Sequence, residues 1–211
     1  MRGRVSYSPN QFINLQAGWD NQFIGEGNRS LFLSDYGKPY GFGMAKLNFW
    51  HFEYLMLYQF LQEKNSLNQR KSKFASSHYL SYNVTKWLHL GVFESVVFQP
   101  KDTLLNRGFE PEYINPMIFF RPQEYALGSS DNILLGFDAK ITIKQLVFYG
   151  QFMMDEFNLA DIKGRTRWWA NKYAVQMGIK TNYRRNKNAY FFRGEMNVVR
   201  PYTYSHLSND Q

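Results

Sequence analysis

Hydrophobic and polar residues alternate with a period of two over long stretches of this chain. From Ile133 to Ile143 the odd positions are Ile133, Leu135, Phe137, Ala139, Ile141 and Ile143, while the even ones carry Leu134, Gly136, Asp138, Lys140 and Thr142. Further on, Val175, Met177 and Ile179 oppose Gln176, Gly178 and Lys180, and Tyr190, Phe192 and Met196 oppose Arg193, Glu195 and Asn197. This is the period of a strand with two unlike faces. It predicts strands at 4–7, 12–18, 42–49, 52–61, 74–83, 87–98, 131–143, 146–154, 171–184 and 190–199.

The connections sharpen the picture. Tight links at Ser8-Pro9-Asn10, Trp50-His51, Asn83 to Lys86, Lys144-Gln145 and Arg185 to Ala189 alternate with long ones at 19–41, 62–73, 99–130 and 155–170. In an up-and-down antiparallel sheet, alternate connections lie at opposite ends, so every long loop leaves from one end. Many of the strands approach the roughly 9–11 residues that a tilted strand needs to cross a bilayer. The expectation is an all-β chain forming one continuous domain over residues 1–211, an antiparallel up-and-down transmembrane β-barrel segment of about ten strands. A soluble β-sandwich or lipocalin-like barrel alternates in the same way. Glu53, Glu94, Asp138, Lys140, Lys180, Arg193 and Glu195 are expected opposite the apolar face, lining a lumen in the membrane case and meeting bulk water in the soluble one.

Aromatic residues make up 18% of the chain, and Trp50, Phe52, Tyr54, Trp87, Tyr149 and Tyr190 fall near strand ends, where interfacial girdles sit. No 18 apolar residues run together, which excludes a spanning helix and leaves a membrane barrel open. The formal net charge of +8 would attract nucleic acid, anionic lipid or acidic polysaccharide. Nucleic-acid binding would place basic and aromatic residues together on one exposed sheet face. Here the aromatics follow the apolar face, so no nucleic-acid partner is expected. The exception is Arg165-Thr166-Arg167-Trp168-Trp169, which suits the apolar face of a sugar ring and the carboxylate of an acidic one.

The chain has no cysteine, hence no disulfide and no thiolate zinc site. No apolar run follows Met1-Arg-Gly-Arg, so an export signal is expected upstream. There is no HExxH or GxSxG, and His51, His78, His89 and His206 are scattered, so neither a metal nor another cofactor is expected. Gly25-Glu26-Gly27-Asn28-Arg29-Ser30 half-resembles a dinucleotide loop but has no helix-forming run after it, and its glycines read as loop flexibility. The basic clusters at Arg70–Lys73, Lys163–Arg167 and Arg184–Lys187 read as solvated connections. Glycoside hydrolysis would need two carboxylates facing each other at a set separation. The neighbouring acids Asp155 and Glu156 read as structural, and the chain is expected not to be an enzyme.

Within the loops, Gly18-Trp19-Asp20-Asn21-Gln22-Phe23-Ile24-Gly25-Glu26-Gly27-Asn28-Arg29-Ser30-Leu31-Phe32-Leu33-Ser34-Asp35 closely resembles a motif of the capsule-assembly Wzi family, which includes relatives associated with gliding motility. Asn115-Pro116, Phe120-Arg121-Pro122-Gln123-Glu124-Tyr125, Ser130-Asp131-Asn132, Tyr149-Gly150-Gln151-Phe152 and Asp155-Glu156-Phe157 follow in that family's order. The resemblance implies a non-catalytic, lectin-like outer-membrane barrel that binds or anchors capsular polysaccharide, with a role in capsule assembly or motility. Barrels of that family have about eighteen strands, within the outer-membrane range, so it also implies an internal segment of a larger protein. Arg29, Asp35, Arg121, Glu124, Tyr125, Asp155 and Glu156 would meet in a plug of inward-folded loops, and Arg165, Arg167, Trp168 and Trp169 would be left to bind the glycan. A porin or solute channel, using the charged lumen, and a soluble sugar-active hydrolase are the alternatives.

Overall fold

A computed structural model of the chain describes residues 2–64, 70–98, 132–155, 172–201 and 203–204. These form ten strands: β1 (Gly3–Tyr7), β2 (Ile13–Asp20), β3 (Tyr40–Phe49), β4 (Phe52–Lys64), β5 (Arg70–Asn83), β6 (Leu88–Phe98), β7 (Asn132–Ile143), β8 (Leu146–Asp155), β9 (Lys172–Arg185) and β10 (Asn188–Val199). They build a single antiparallel sheet in strict sequence order, β1 to β10. Among the described residues there is no helix, and β1 and β10 are free edges that do not pair with each other. Three of the hairpins turn through two residues with a positive φ at the first, Trp50, Lys144 and Asn186. Primed turns of this kind match the right-handed twist of the strands they join.

All ten predicted strands are present. The second long connection is shorter than expected, because β4 runs to Lys64 and β5 starts at Arg70. The Arg70–Lys73 cluster is therefore strand, not loop. Its charges hid it: the polar run 62–73 lacks the alternation that betrays a strand, yet the register sets Glu63 opposite Lys71. Because β2, β4, β6 and β8 all finish at the same end of the sheet, 21–39, 65–69, 99–131 and 156–171 begin and end there.

The two faces are unlike. One, here called inner, carries Lys46, Glu53, Asp138, Lys140, Gln151, Gln176, Lys180, Arg193 and Glu195, as the register shows. The outer face carries Leu135, Phe137, Ile141, Phe148, Ile179, Phe192 and Met196. Over β7 to β10 burial runs opposite to a soluble sandwich. Phe137 and Phe192 on the outer face are 47% and 61% exposed, whereas Asp138 and Gln176 on the inner face are 5% and 0% exposed.

Three residues depart from the expected facing. Glu94 pairs across strands with His78 and Leu135, which puts it on the apolar face. There it is buried together with His78 and Tyr54, whose hydroxyl lies 3.1 Å from His78 Nδ1. Strand β6 is apolar on both sides (Val92, Phe93, Val96, Val97), so its alternation carries no parity. Tyr54 and Tyr149 do not join an exposed girdle either. Tyr54 is buried beside His78, and Tyr149 points inward, buried, while Trp50, Trp87 and Tyr190 are exposed as expected.

Candidate functional site

What covers the inner face is the segment between β2 and β3. Ile24 and Leu33 form an antiparallel bridge, with Ile24 N–H donating to Leu33 O (3.0 Å), which closes 24–33 into a loop. The Asn21 side-chain amide ties the loop's neck by donating to the backbone carbonyls of Asp35 and Gly37. Three apolar side chains anchor the loop: Ile24, Leu31 and Phe32 share one core with Phe42, Leu57, Tyr79, Phe93, Leu134, Met153 and Ala174. The Phe32 ring stacks on Phe93 with centroids 4.9 Å apart and planes 1° from parallel. Gly136 lies beneath that ring, and a Cβ there would collide with it.

The polar half, 25–30, is held by inner-face side chains. Glu26 Oε1 accepts from Lys140 Nζ at 2.6 Å and Oε2 from Lys180 Nζ at 2.7 Å. Asn28 N–H donates to Glu195 Oε2 (2.9 Å), which also accepts the Tyr149 hydroxyl (2.7 Å). Leu31 N–H donates to Gln151 Oε1 (3.0 Å), and Gln176 Nε2 donates to Arg29 O (2.7 Å). The loop's backbone groups thus find partners on the sheet, the buried Leu31 amide among them. Gly25 and Gly27 have φ of 109° and 92°. A Cβ at Gly25 would strike Gln151, and one at Gly27 would strike Glu195. The two glycines serve close approach in a set conformation, and the reading of them as loose loop residues is corrected accordingly.

Glu26 is the electrostatic centre of this arrangement. Its burial raises its pKa, but the hydrogen bonds and charges of Lys140 and Lys180 outweigh that, and the net is below the ordinary carboxylate value. A carboxylate with a lowered folded pKa stabilises above its unfolded pKa, about 4.3 for Glu, and loses that contribution as the pH falls through the folded value. We expect acid to release the 25–30 turn below the usual carboxylate range, read as faster hydrogen exchange at the Leu31 amide, whose acceptor Gln151 does not titrate. Glu26→Gln should show the faster exchange already at neutral pH, having lost charge-assisted hydrogen bonds worth roughly 1.5–3 kcal/mol each at full strength, and should keep only the smaller acid step that belongs to Glu195, the acceptor of Asn28 N–H.

The structure brings only part of the expected plug together. Arg29 and Asp35 do not pair: the Arg29 guanidinium lies 3.8 Å over the Tyr36 ring, and Asp35 is exposed, holding Asn21 through its backbone carbonyl. Asp155 is buried, and its Oδ2 accepts the Tyr204 N–H at 2.8 Å. Tyr204 in turn donates its hydroxyl to Leu31 O (2.9 Å), and burial followed by the charge of Asp155 pushes its pKa up to about 12. Arg121, Glu124, Tyr125, Glu156, Arg165, Arg167, Trp168 and Trp169 lie outside the described residues. Sequence reasoning missed Glu26, Lys140, Lys180, Tyr149, Gln151, Gln176 and Glu195 as a set. The available signal was an acid flanked by two glycines facing a lysine-bearing sheet.

No family model, curated protein or solved structure matches this chain.

What the site can do follows from its own chemistry. The inner face presents cations, carboxylates, amides and a phenol to a segment that answers each of them. It is suited to recognising polar, anionic groups.

Proposed function

We propose that this chain is part of an outer-membrane β-barrel, non-catalytic, that binds or anchors acidic surface polysaccharide, with a role in capsule assembly or gliding motility. The observation that carries the reading is the inversion of burial over β7 to β10: apolar side chains such as Phe137, Phe148, Met177 and Phe192 are exposed on the outer face, and the polar, charged side chains opposite are covered by the chain's own 21–39 segment. Exposed apolar side chains across the outer face of β7 to β10 suit contact with outer-membrane lipid, as on the lipid-facing side of a barrel. Strands of 10–14 residues from β3 onward reach across a bilayer core, which takes roughly 9–11. A filled interior suits retention of a ligand at the surface more than passage of solute. The resemblance of residues 18–35 to the Wzi motif supports polysaccharide as that ligand.

In this reading Arg165, Arg167, Trp168 and Trp169 supply stacking and charge to the glycan. Replacing all four by alanine should reduce retention of an acidic polysaccharide by tenfold or more, since Trp and Arg anchors of this kind are each worth about 2 kcal/mol. Raising the salt should weaken what remains. Unchanged retention at low salt would remove these residues from the site. Ohmic conductance in a planar bilayer would replace the reading with a channel.

A further inference from the structure

The two halves of the 24–33 loop are held by different forces. Ile24, Leu31 and Phe32 sit in the apolar core and the Ile24–Leu33 bridge closes the neck. The 25–30 turn rests on polar contacts, which a competing ligand can replace while the apolar anchor stays. Beneath it, Lys140 on β7 and Lys180 on β9 reach over from either side of β8, each giving its ammonium to one oxygen of Glu26. Arg193 on β10 is the cross-strand neighbour of Lys180. It is exposed, engaged by a 3.4 Å bond to Asn28 Oδ1 and lying 5.3 Å over the Phe191 ring. The lysine side chains are 30% and 27% exposed in the ten-strand sheet, so Glu26 does not cover them completely.

We propose that Lys140 and Lys180, flanked by Tyr149 and Arg193, form a subsite for the carboxylate of an acidic sugar, and that Glu26 is an internal stand-in which such a ligand displaces, opening the 25–30 turn. The proposal rests on the polysaccharide reading and names its chemistry: uronate-type sugars bind, neutral ones do not. Two ammonium groups converging on one point need an anion between them, and a clamp that gives one donor to each oxygen fits any carboxylate. Exchange of one carboxylate for another leaves the charge balance unchanged, so the competition is set by concentration. A tethered group acts at millimolar effective concentration or above. A single uronate is therefore a weak competitor, and a chain bearing many is a strong one.

The chain has no cysteine, so Asn28→Cys gives it a single site for a spin label, read with the protein in detergent or membranes. Sodium glucuronate is expected to mobilise the label, with glucose inert at the same concentration. Glu26→Gln should be mobile before any addition and bind glucuronate at least tenfold more tightly, its tethered competitor gone. Lys180→Gln, and Lys140→Gln with it, should lose the response. A label that glucuronate does not move, or a Glu26→Gln variant that binds no more tightly, overturns the proposal. Acidic polysaccharide binding equally well to wild type and the double lysine variant overturns the subsite and leaves polysaccharide binding standing. Displacement by glucuronate in a protein that retains no polysaccharide supports the subsite and removes the polysaccharide reading.

Discussion

Replacing Phe32 by alanine is expected to destabilise the protein by about 3–5 kcal/mol, the usual cost of a buried Phe→Ala change. The ring is buried, stacked against Phe93 and close to Tyr79, and it lies in the space left by the missing Cβ of Gly136. Removing it would empty the contact between the 21–39 segment and the middle of the sheet. Phe23, on the same segment but exposed, is the control, and its alanine variant should stay within about 0.5 kcal/mol of wild type. Denaturant unfolding with proteolysis of the segment as a second readout distinguishes them. Equal effects at both positions would mean that the segment is not seated on the sheet. Gly136→Val tests the same contact from below: its side chain must push the Phe32 ring out, so the segment should become protease-sensitive while the strands persist.

The second large effect concerns the outer face. If that face meets hydrocarbon, Ile179→Arg near the middle of β9 should cost roughly 2–4 kcal/mol, the penalty for a cation on the lipid side at the midplane, and should impair assembly into membranes. Lys180→Arg, one residue on and facing inward, keeps its charge and its reach to Glu26 and should assemble normally. Folding yield in lipid vesicles, read by the gel shift between folded and heated protein, compares the two. Equal behaviour of the pair would reverse the assignment of faces, and tolerance of both in a detergent-free monomer would remove the membrane.

Much of the sheet was legible because alternation is a local property. Ile133–Ile143 and Tyr190–Val199 show it with few exceptions (Leu134, Phe191 and Val199), and the structure separates their two faces in that parity. The signal failed where both sides are apolar, as around Glu94 in β6, and where both are polar, as at the ends of β4 and β5. The plug was legible only as an idea. Its family-like motif marked residues 18–35, but the partners of Glu26 stand 114 and 154 positions away along the chain. No local pattern connects them, and a charge that is neutralised inside a fold looks in sequence like any solvated one. Arg29 and Asp35 drew attention as the charged members of the motif, yet the inward-turned carboxylate is the one set between glycines, where the backbone can come close enough to the sheet.

The strictly sequential strand order has a bearing on how the molecule is made. Each strand pairs with the one just synthesised, so hairpins can add one after another with little loop-closure entropy to overcome at any step. The 21–39 segment is the exception. It emerges before β3, yet its acceptors and donors include Gln176 and Glu195 on β9 and β10 and Tyr204 beyond them. Its polar half must wait until β9 and β10 are in place, so that complete docking of the segment reports that the strands between have been paired.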